Sequence, residues 1–192
     1  MTAASGVVHE EKHSREFTRL GGTPEMVQLW VNLPAELKMS PPAYQTILDR
    51  QIPSVSLPEG AGSVRVIAGE FEGVKGPAST LTPINLWDVR LKTYHRAELK
   101  VPRGFTTALF ILRGEVALAD SERAGEADLA LLTREGERLH IEAREDTTLL
   151  VLNGAAIDEP VAAFGPFVMN SKAEITQAIE DYHNGQLWRL AA

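Results

Sequence analysis

Apolar and polar positions alternate through most of this chain, and turn residues interrupt the alternation about every ten residues, the spacing of an all-β sandwich or barrel. The stretch from Lys100 to Leu118 organises the pattern. Thr106–Leu112 is rich in β-branched and apolar residues and is bounded by Arg103-Gly104 and Arg113-Gly114, so it reads as a buried strand. Gly114-Glu115 is predicted to reverse the chain as a tight hairpin into Val116-Ala117-Leu118. Further strands are expected at Ser54–Leu57, Ser63–Ile67, Leu86–Leu91, Glu98–Val101, Ala127–Leu132, Glu137–Glu142 and Thr147–Asn153.

Upstream the pattern is less regular. Met1–Glu11 reads as a turn feeding a short strand, and His13–Gly22 as a polar linker ending in glycine. Met26–Asn32 alternates, with Val27, Leu29 and Val31 on one face and Gln28, Trp30 and Asn32 on the other, and predicts a strand that Leu33-Pro34 ends. Pro41-Pro42-Ala43-Tyr44 must be extended or turning. One helix stands out. Ser171-Lys172-Ala173-Glu174 is a capping box, Ile175, Ala178, Ile179 and Tyr182 form one apolar stripe, and Asn184-Gly185 closes it.

Composition narrows the possible chemistry. The 192 residues carry a net charge of −7, which argues against bulk attraction to nucleic-acid phosphates. With no cysteine, thiol catalysis and cysteine-ligated zinc are excluded, and the chain suits a reducing compartment. No run of 18 apolar residues and no basic-then-apolar leader occurs, so a cytoplasmic protein without a membrane partner is expected. Trp30, Trp87 and Trp188 are expected in packing roles, and Arg65, Arg90 and Lys92 on a solvated face. His95 and His183 lack spacing partners.

Several ordered blocks resemble the pirin family. They are Gln28-Leu29-Trp30-Val31-Asn32-Leu33-Pro34, then Lys38-Met39 with Pro41-Pro42-Ala43-Tyr44-Gln45, then Val64–Glu70 through Gly73-Val74-Lys75-Gly76-Pro77, and last Gly165-Pro166-Phe167-Val168-Met169-Asn170. The resemblance runs from Met1 to about Trp188. It implies a bicupin ancestry: residues 1–23 as a remnant of an N-terminal metal-binding cupin, and residues 24–192 as the C-terminal cupin domain with its helix. The fold expected is therefore all-β, a cupin-type antiparallel jelly-roll barrel over roughly residues 24–156 with a C-terminal α-helix.

The same resemblance carries a metal expectation. Pirins hold iron, Fe(II), with three His and one Glu. The first pair belongs to a His-Pro-His-Arg-Gly-Phe motif and the second to a His-x-Glu following a segment like Met1–Glu11. His9 and Glu11 match the second pair, and residues matching the first would lie upstream of Met1. Two apart on a strand, His9 and Glu11 would share a face, and His13 would extend it to a third donor if the strand continued. The readings open at this point are an exposed metal-free half-site, a weak three-donor site, and a site shared between two chains. Leu132–Glu142 aligns with Met1–Glu11 without a gap and places His140 over His9 and Glu142 over Glu11. Lys100 and Pro102 fall where the other imidazoles would be needed, so a polar strand face is expected there.

For function the resemblance implies either a non-catalytic, regulatory domain binding a protein partner, or a dioxygenase of the quercetinase type acting on a small aromatic ligand. An exposed N-terminal strand edge would favour a homodimer.

Overall fold

In the computed structural model, which describes residues 1–118 and 122–189, the chain divides into two compact units. One is Gln45–Ala156, and the other combines Met1–Tyr44 with Ile157–Ala192. In chain order the elements are β1 (Val7–Val8), α1 (Arg15–Leu20) and α2 (Ala35–Lys38). Then come β2 (Ser54–Ser56), β3 (Gly62–Ala68), β4 (Glu70–Phe71), β5 (Val74–Lys75), β6 (Ile84–Leu91) and β7 (Arg96–Lys100). They continue as β8 (Thr106–Arg113), β9 (Val116–Ala117), β10 (Arg123–Ala124), β11 (Leu129–Leu132), β12 (Arg138–Ala143) and β13 (Thr147–Gly154). Beyond the barrel lie β14 (Ala162–Phe164), β15 (Phe167–Met169), α3 (Lys172–His183) and β16 (Trp188–Arg189).

The larger unit is a two-sheet antiparallel jelly roll, as the alternation predicts. One sheet has the order β11-β8-β13-β6-β3-β2 and the other β10-β9-β12-β7. Successive side chains on a strand point to opposite faces, so one parity fills the space between the sheets. Val64, Val66, Trp87, Val89, Leu109, Ile111, Leu149 and Val151 come from the larger sheet, and Leu99, Val116, Leu139, Ile141 and Ala143 from the smaller. The edge of Phe71 meets Trp87 with 5.0 Å between ring centroids. The interior is thus packed with aliphatic side chains, and Phe105 and Phe110 lie outside the buried set. The barrel begins at β2, so residues 24–44 fall in the other unit rather than in the barrel expected over residues 24–156.

The hairpin predicted at Gly114 is a corner between the two sheets. β8 pairs with β11 and β13, whereas β9 pairs with β10 and β12. Gly114 has φ 84°, and a Cβ there would lie 2.6 Å from Thr147 Oγ1 and 2.7 Å from the Asp146 carbonyl oxygen, so only glycine turns this corner. Local sequence announces a tight turn; which strand the chain joins afterwards is decided by the register of strands far away.

The smaller unit departs more from expectation. Met26–Asn32 forms no strand, and Met26, Trp30 and Val31 are exposed. Alternation makes a segment suitable for a sheet, but a strand needs a neighbour for its backbone groups, and no strand of the described residues pairs with it. The polar stretch His13–Gly22 contains α1: Ser14 Oγ accepts from Phe17 N–H at 3.1 Å, and Gly21 stops the helix by donating to the Phe17 carbonyl. Trp188, like Trp30, is exposed, leaving Trp87 as the core tryptophan.

α3 has the expected cap. Ser171 Oγ accepts from Glu174 N–H at 3.3 Å, and the Glu174 carboxylate accepts from the Ser171 hydroxyl and from Asn170 N–H. Ile175 is buried, and Tyr182 meets Phe167 of β15 edge-on. Lys38, at the end of α2, is buried, and its Nζ donates to Asn32 Oδ1 and to the Leu33 carbonyl, each at 2.5 Å. Burial lowers its pKa below the ordinary 10.5, against the opposing pull of the Glu159 and Glu174 carboxylates. Glu159 itself accepts from Ala35 N–H at 2.7 Å and from Asn170 Nδ2 at 2.9 Å.

Two stability experiments follow from this packing. Ile141→Ala, at a side chain 2% exposed, is expected to cost about 2–5 kcal/mol in denaturant unfolding, while Leu131→Ala, at one 72% exposed, stays within about 0.5 kcal/mol. Lys38→Met leaves two half-buried acceptors without their donor and is expected to cost about 1 kcal/mol. The unfolded chain holds the Lys38 proton more tightly than the folded one. The charging cost is therefore present below the lowered folded pKa and disappears as pH rises from there through 10.5. Over that alkaline window the wild type should gain stability relative to Lys38→Met, which parallel unfolding series at stepped pH would measure.

Candidate functional site

The N-terminal segment is held in place by backbone contacts. Thr2 N–H donates to the Ala43 carbonyl at 2.7 Å and receives the return bond from Ala43 N–H at 3.0 Å, so the extended Pro41-Pro42-Ala43 serves as a template. Ala4 and Gly6 adopt positive φ and turn the chain into β1, whose Val7 and Val8 pair in parallel with Trp188 and Arg189. The strand stops at Val8, just before the candidate donors.

His9 and Glu11 are brought together. His9 Nδ1 lies 4.0 Å from Glu11 Oε1, with the imidazole 30% and the carboxylate 57% exposed. Between them Glu10 turns to Lys12, 2.5 Å from its Nζ. His13 does not extend their face. The backbone has left the strand by then, and its ring packs against Phe17 of α1 at 5.2 Å. The parity argument for a third donor needed a strand through residue 13, and the Ser14 cap starts a helix instead. Among the described residues no group of three or more His, Asp or Glu side chains is placed to hold a metal ion.

The C-terminal echo is a polar strand face. On β12, Leu139, Ile141 and Ala143 point into the core, which turns His140 and Glu142 outward. His140 sits opposite Glu98 of β7, with Nδ1 3.7 Å from Glu98 Oε2. Glu142 pairs with Arg96 at 2.8 Å and Arg144 at 3.0 Å, and Arg138 pairs with Glu98 at 2.8 Å. These surface pairs each contribute a fraction of a kcal/mol, roughly 0.2–1. Lys100 and Pro102 are exposed as well. The polar groups that do point inward were not singled out from sequence. Asn153 Nδ2 donates to Thr107 Oγ1 at 2.9 Å, and Asn85 Nδ2 donates to Asn153 Oδ1 at 2.8 Å. An asparagine inside the apolar run Thr147–Asn153 was the available signal. Amides and hydroxyls satisfy one another there and form no transition-metal donor set.

None of the helices is long and apolar enough to cross a membrane among the described residues. Known proteins are similar to this chain along nearly its whole length. A protein of Pseudomonas aeruginosa, provisionally named a quercetin 2,3-dioxygenase, is 54% identical over 189 residues, covering 98% of this chain and 66% of its own length. The human protein named pirin is 32% identical over 190 residues, covering 97% of this chain and 63% of its own. The chain thus spans less than two thirds of the length of these relatives. A crystal structure of quercetin 2,3-dioxygenase from Acinetobacter baumannii superposes with a TM-score of 0.87 at 46% identity, covering 91% of this chain and 61% of that one. The model of the pirin C-terminal cupin domain matches residues 86–188, more than half of the chain. With the jelly roll and the ordered sequence blocks already described, this chain belongs to the pirin family.

Proposed function

We propose that this chain acts as a pirin-type binding or regulatory domain that retains a metal half-site at His9 and Glu11 and has no turnover of its own. The observation that carries this reading is the donor set. Oxygen-activating Fe(II) sites of the facial type take three protein ligands, and the described residues bring together two. The residues present therefore do not fit a complete Fe(II) site. Residues 1–23 are the remnant of the metal-bearing cupin in this reading, and residues 24–192 the C-terminal domain.

A dioxygenase of the quercetinase type is the second reading, supported by the name of the 54% identical relative. It requires further ligands beside His9 and Glu11, from additional sequence or a second chain. The partner we propose first is a second copy meeting the N-terminal edge. Among the described residues β1 pairs with β16 alone, and Met26, Trp30 and Val31 expose apolar surface in the same unit. A separate protein partner or a small aromatic ligand are the remaining possibilities for this unit.

Metal content of the purified, tag-free chain by elemental mass spectrometry decides between the two functional readings. Iron far below one per chain, unchanged by His9→Ala, is expected; near-stoichiometric iron that His9→Ala abolishes would overturn the half-site reading. Light scattering across a wide concentration range is expected to show the dimer mass, and a monomer throughout would sink the second-copy proposal.

A further inference from the structure

Four strands form the edges of the two barrel sheets, β11 and β2 in one and β10 and β7 in the other. A sheet edge presents unpaired N–H and C=O groups to any extended chain that meets it, and folds commonly guard it by shortness, proline or charge. Three of these edges are guarded in that way. β10 is two residues long, β2 is a three-residue strand directly after Pro53, and β7 exposes Arg96, Glu98 and Lys100. β11 is unguarded: it reads Leu-Ala-Leu-Leu, with no proline and no charge. Leu129 and Leu131 are 61% and 72% exposed.

The register shows which backbone groups of β11 are spare. Ile111 N–H donates to the Asp128 carbonyl at 3.0 Å, and the Ile111 carbonyl accepts from Ala127 N–H at 2.9 Å, so Ile111 turns its backbone groups toward this edge of the sheet. Antiparallel partners exchange hydrogen bonds at alternate positions, which makes Leu109 and Thr107 the next to do so, opposite Ala130 and Leu132. The N–H and C=O groups of Leu129 and Leu131 therefore point away from β8, and no strand of the described residues meets them there. The side chains of the same two leucines stand on the outer side of the sheet. Next to them on that side lie Phe110 and Ala108 of β8, followed by Leu150 and Leu152 of β13. The outer face of an antiparallel sheet is commonly solvated and polar, whereas this corner of it is apolar.

We propose that β11 is a docking edge for an extended segment of a partner protein, which joins the six-stranded sheet as a further strand. Main-chain hydrogen bonds to Leu129 and Leu131 hold the segment, and two of its apolar side chains, spaced two residues apart, pack beside these leucines. Charge sets the rest of its chemistry. Glu126, Asp128, Glu135 and Glu137 border the strand together with one cation, Arg134, in a chain of net charge −7, so the segment carries lysine or arginine at its ends. The same acidic border disfavours a second copy at this edge, which would bring two such borders together. The proposal depends neither on the metal half-site nor on the N-terminal segment.

Isothermal titration of the full chain with the end-blocked peptide Lys-Val-Thr-Val-Thr-Val-Lys tests this, beside one version with proline at its centre and another with glutamate at both ends. Saturable binding of the lysine-ended peptide is expected, weakened about tenfold or more by the central proline, by the glutamate ends and by Leu131→Lys in the protein. Leu131 is exposed, so that variant keeps the fold. Amide hydrogen exchange gives a reading that general charge attraction does not move. The peptide should slow exchange at Leu129 and Leu131 and leave Ala130 and Leu132, already bonded to β8, unchanged. No saturation, equal binding of either control peptide, unchanged affinity in Leu131→Lys, or unaltered exchange at Leu129 and Leu131 would overturn the proposal. A smaller mass for Leu131→Lys than for the wild-type chain in light scattering would also overturn it, by assigning the edge to a second copy.

Discussion

The structure depends on filling the space between two sheets with side chains of one parity. Leu99, Leu139 and Ile141 from the smaller sheet meet Leu109, Ile111, Leu149 and Val151 from the larger, all nearly inaccessible to water. At interior packing density such a core leaves little space for a guest, and each deleted methylene is felt. What a barrel of this kind can bind is then decided by where its polar residues fall. Here the inward amides and hydroxyls include Asn85, Thr107, Thr147 and Asn153, and hydrogen bonds within the fold engage them.

The same pleat decides what surrounds the two His-x-Glu segments. His140 and Glu142 are turned outward by the same pleat that turns Leu139 and Ile141 inward, and they face Glu98 and Arg96 across the strand pair. His9 and Glu11 follow a strand only two residues long, and the chain beyond them enters α1. These two donors lie close to one another, and among the described residues no third joins them.

How much of this was legible in the sequence depended on whether the deciding interaction was local. The α3 cap was legible because Ser171 and Glu174 lie within one turn and complete their bonds between themselves and Asn170. The barrel strands were legible because each was marked by its own alternation and its own turn residues. Met26–Asn32 was misread because alternation states what a strand would need, and the missing element was a neighbour that no local pattern reports. The Gly114 corner was misread for the related reason that a glycine turn looks the same whether it joins adjacent strands or passes the chain to another sheet. The ordered pirin-like blocks conveyed the family, but the third donor inferred at His13 rested on a strand longer than the fold provides.

The end of β8 shows the same limit at finer scale, where the register of β13 and β8 slips between Thr148 and Leu149. Arg65 and Arg90 each share a strand parity with outward residues, so placing them on a solvated face was sound as far as it went. What sequence could not supply was Arg113. By alternation it belongs with Ile111 and Leu109, in a core of apolar side chains, and the conflict between its charge and its parity is resolved by one extra residue, Leu112, at a β-bulge. A charged residue whose parity points into a core is therefore a sequence signal for a bulge. The bulge in turn delivers a cation to a face where the pleat would have put a leucine. In this barrel that single irregularity sets Arg113 beside Thr148 on the outer side of the sheet.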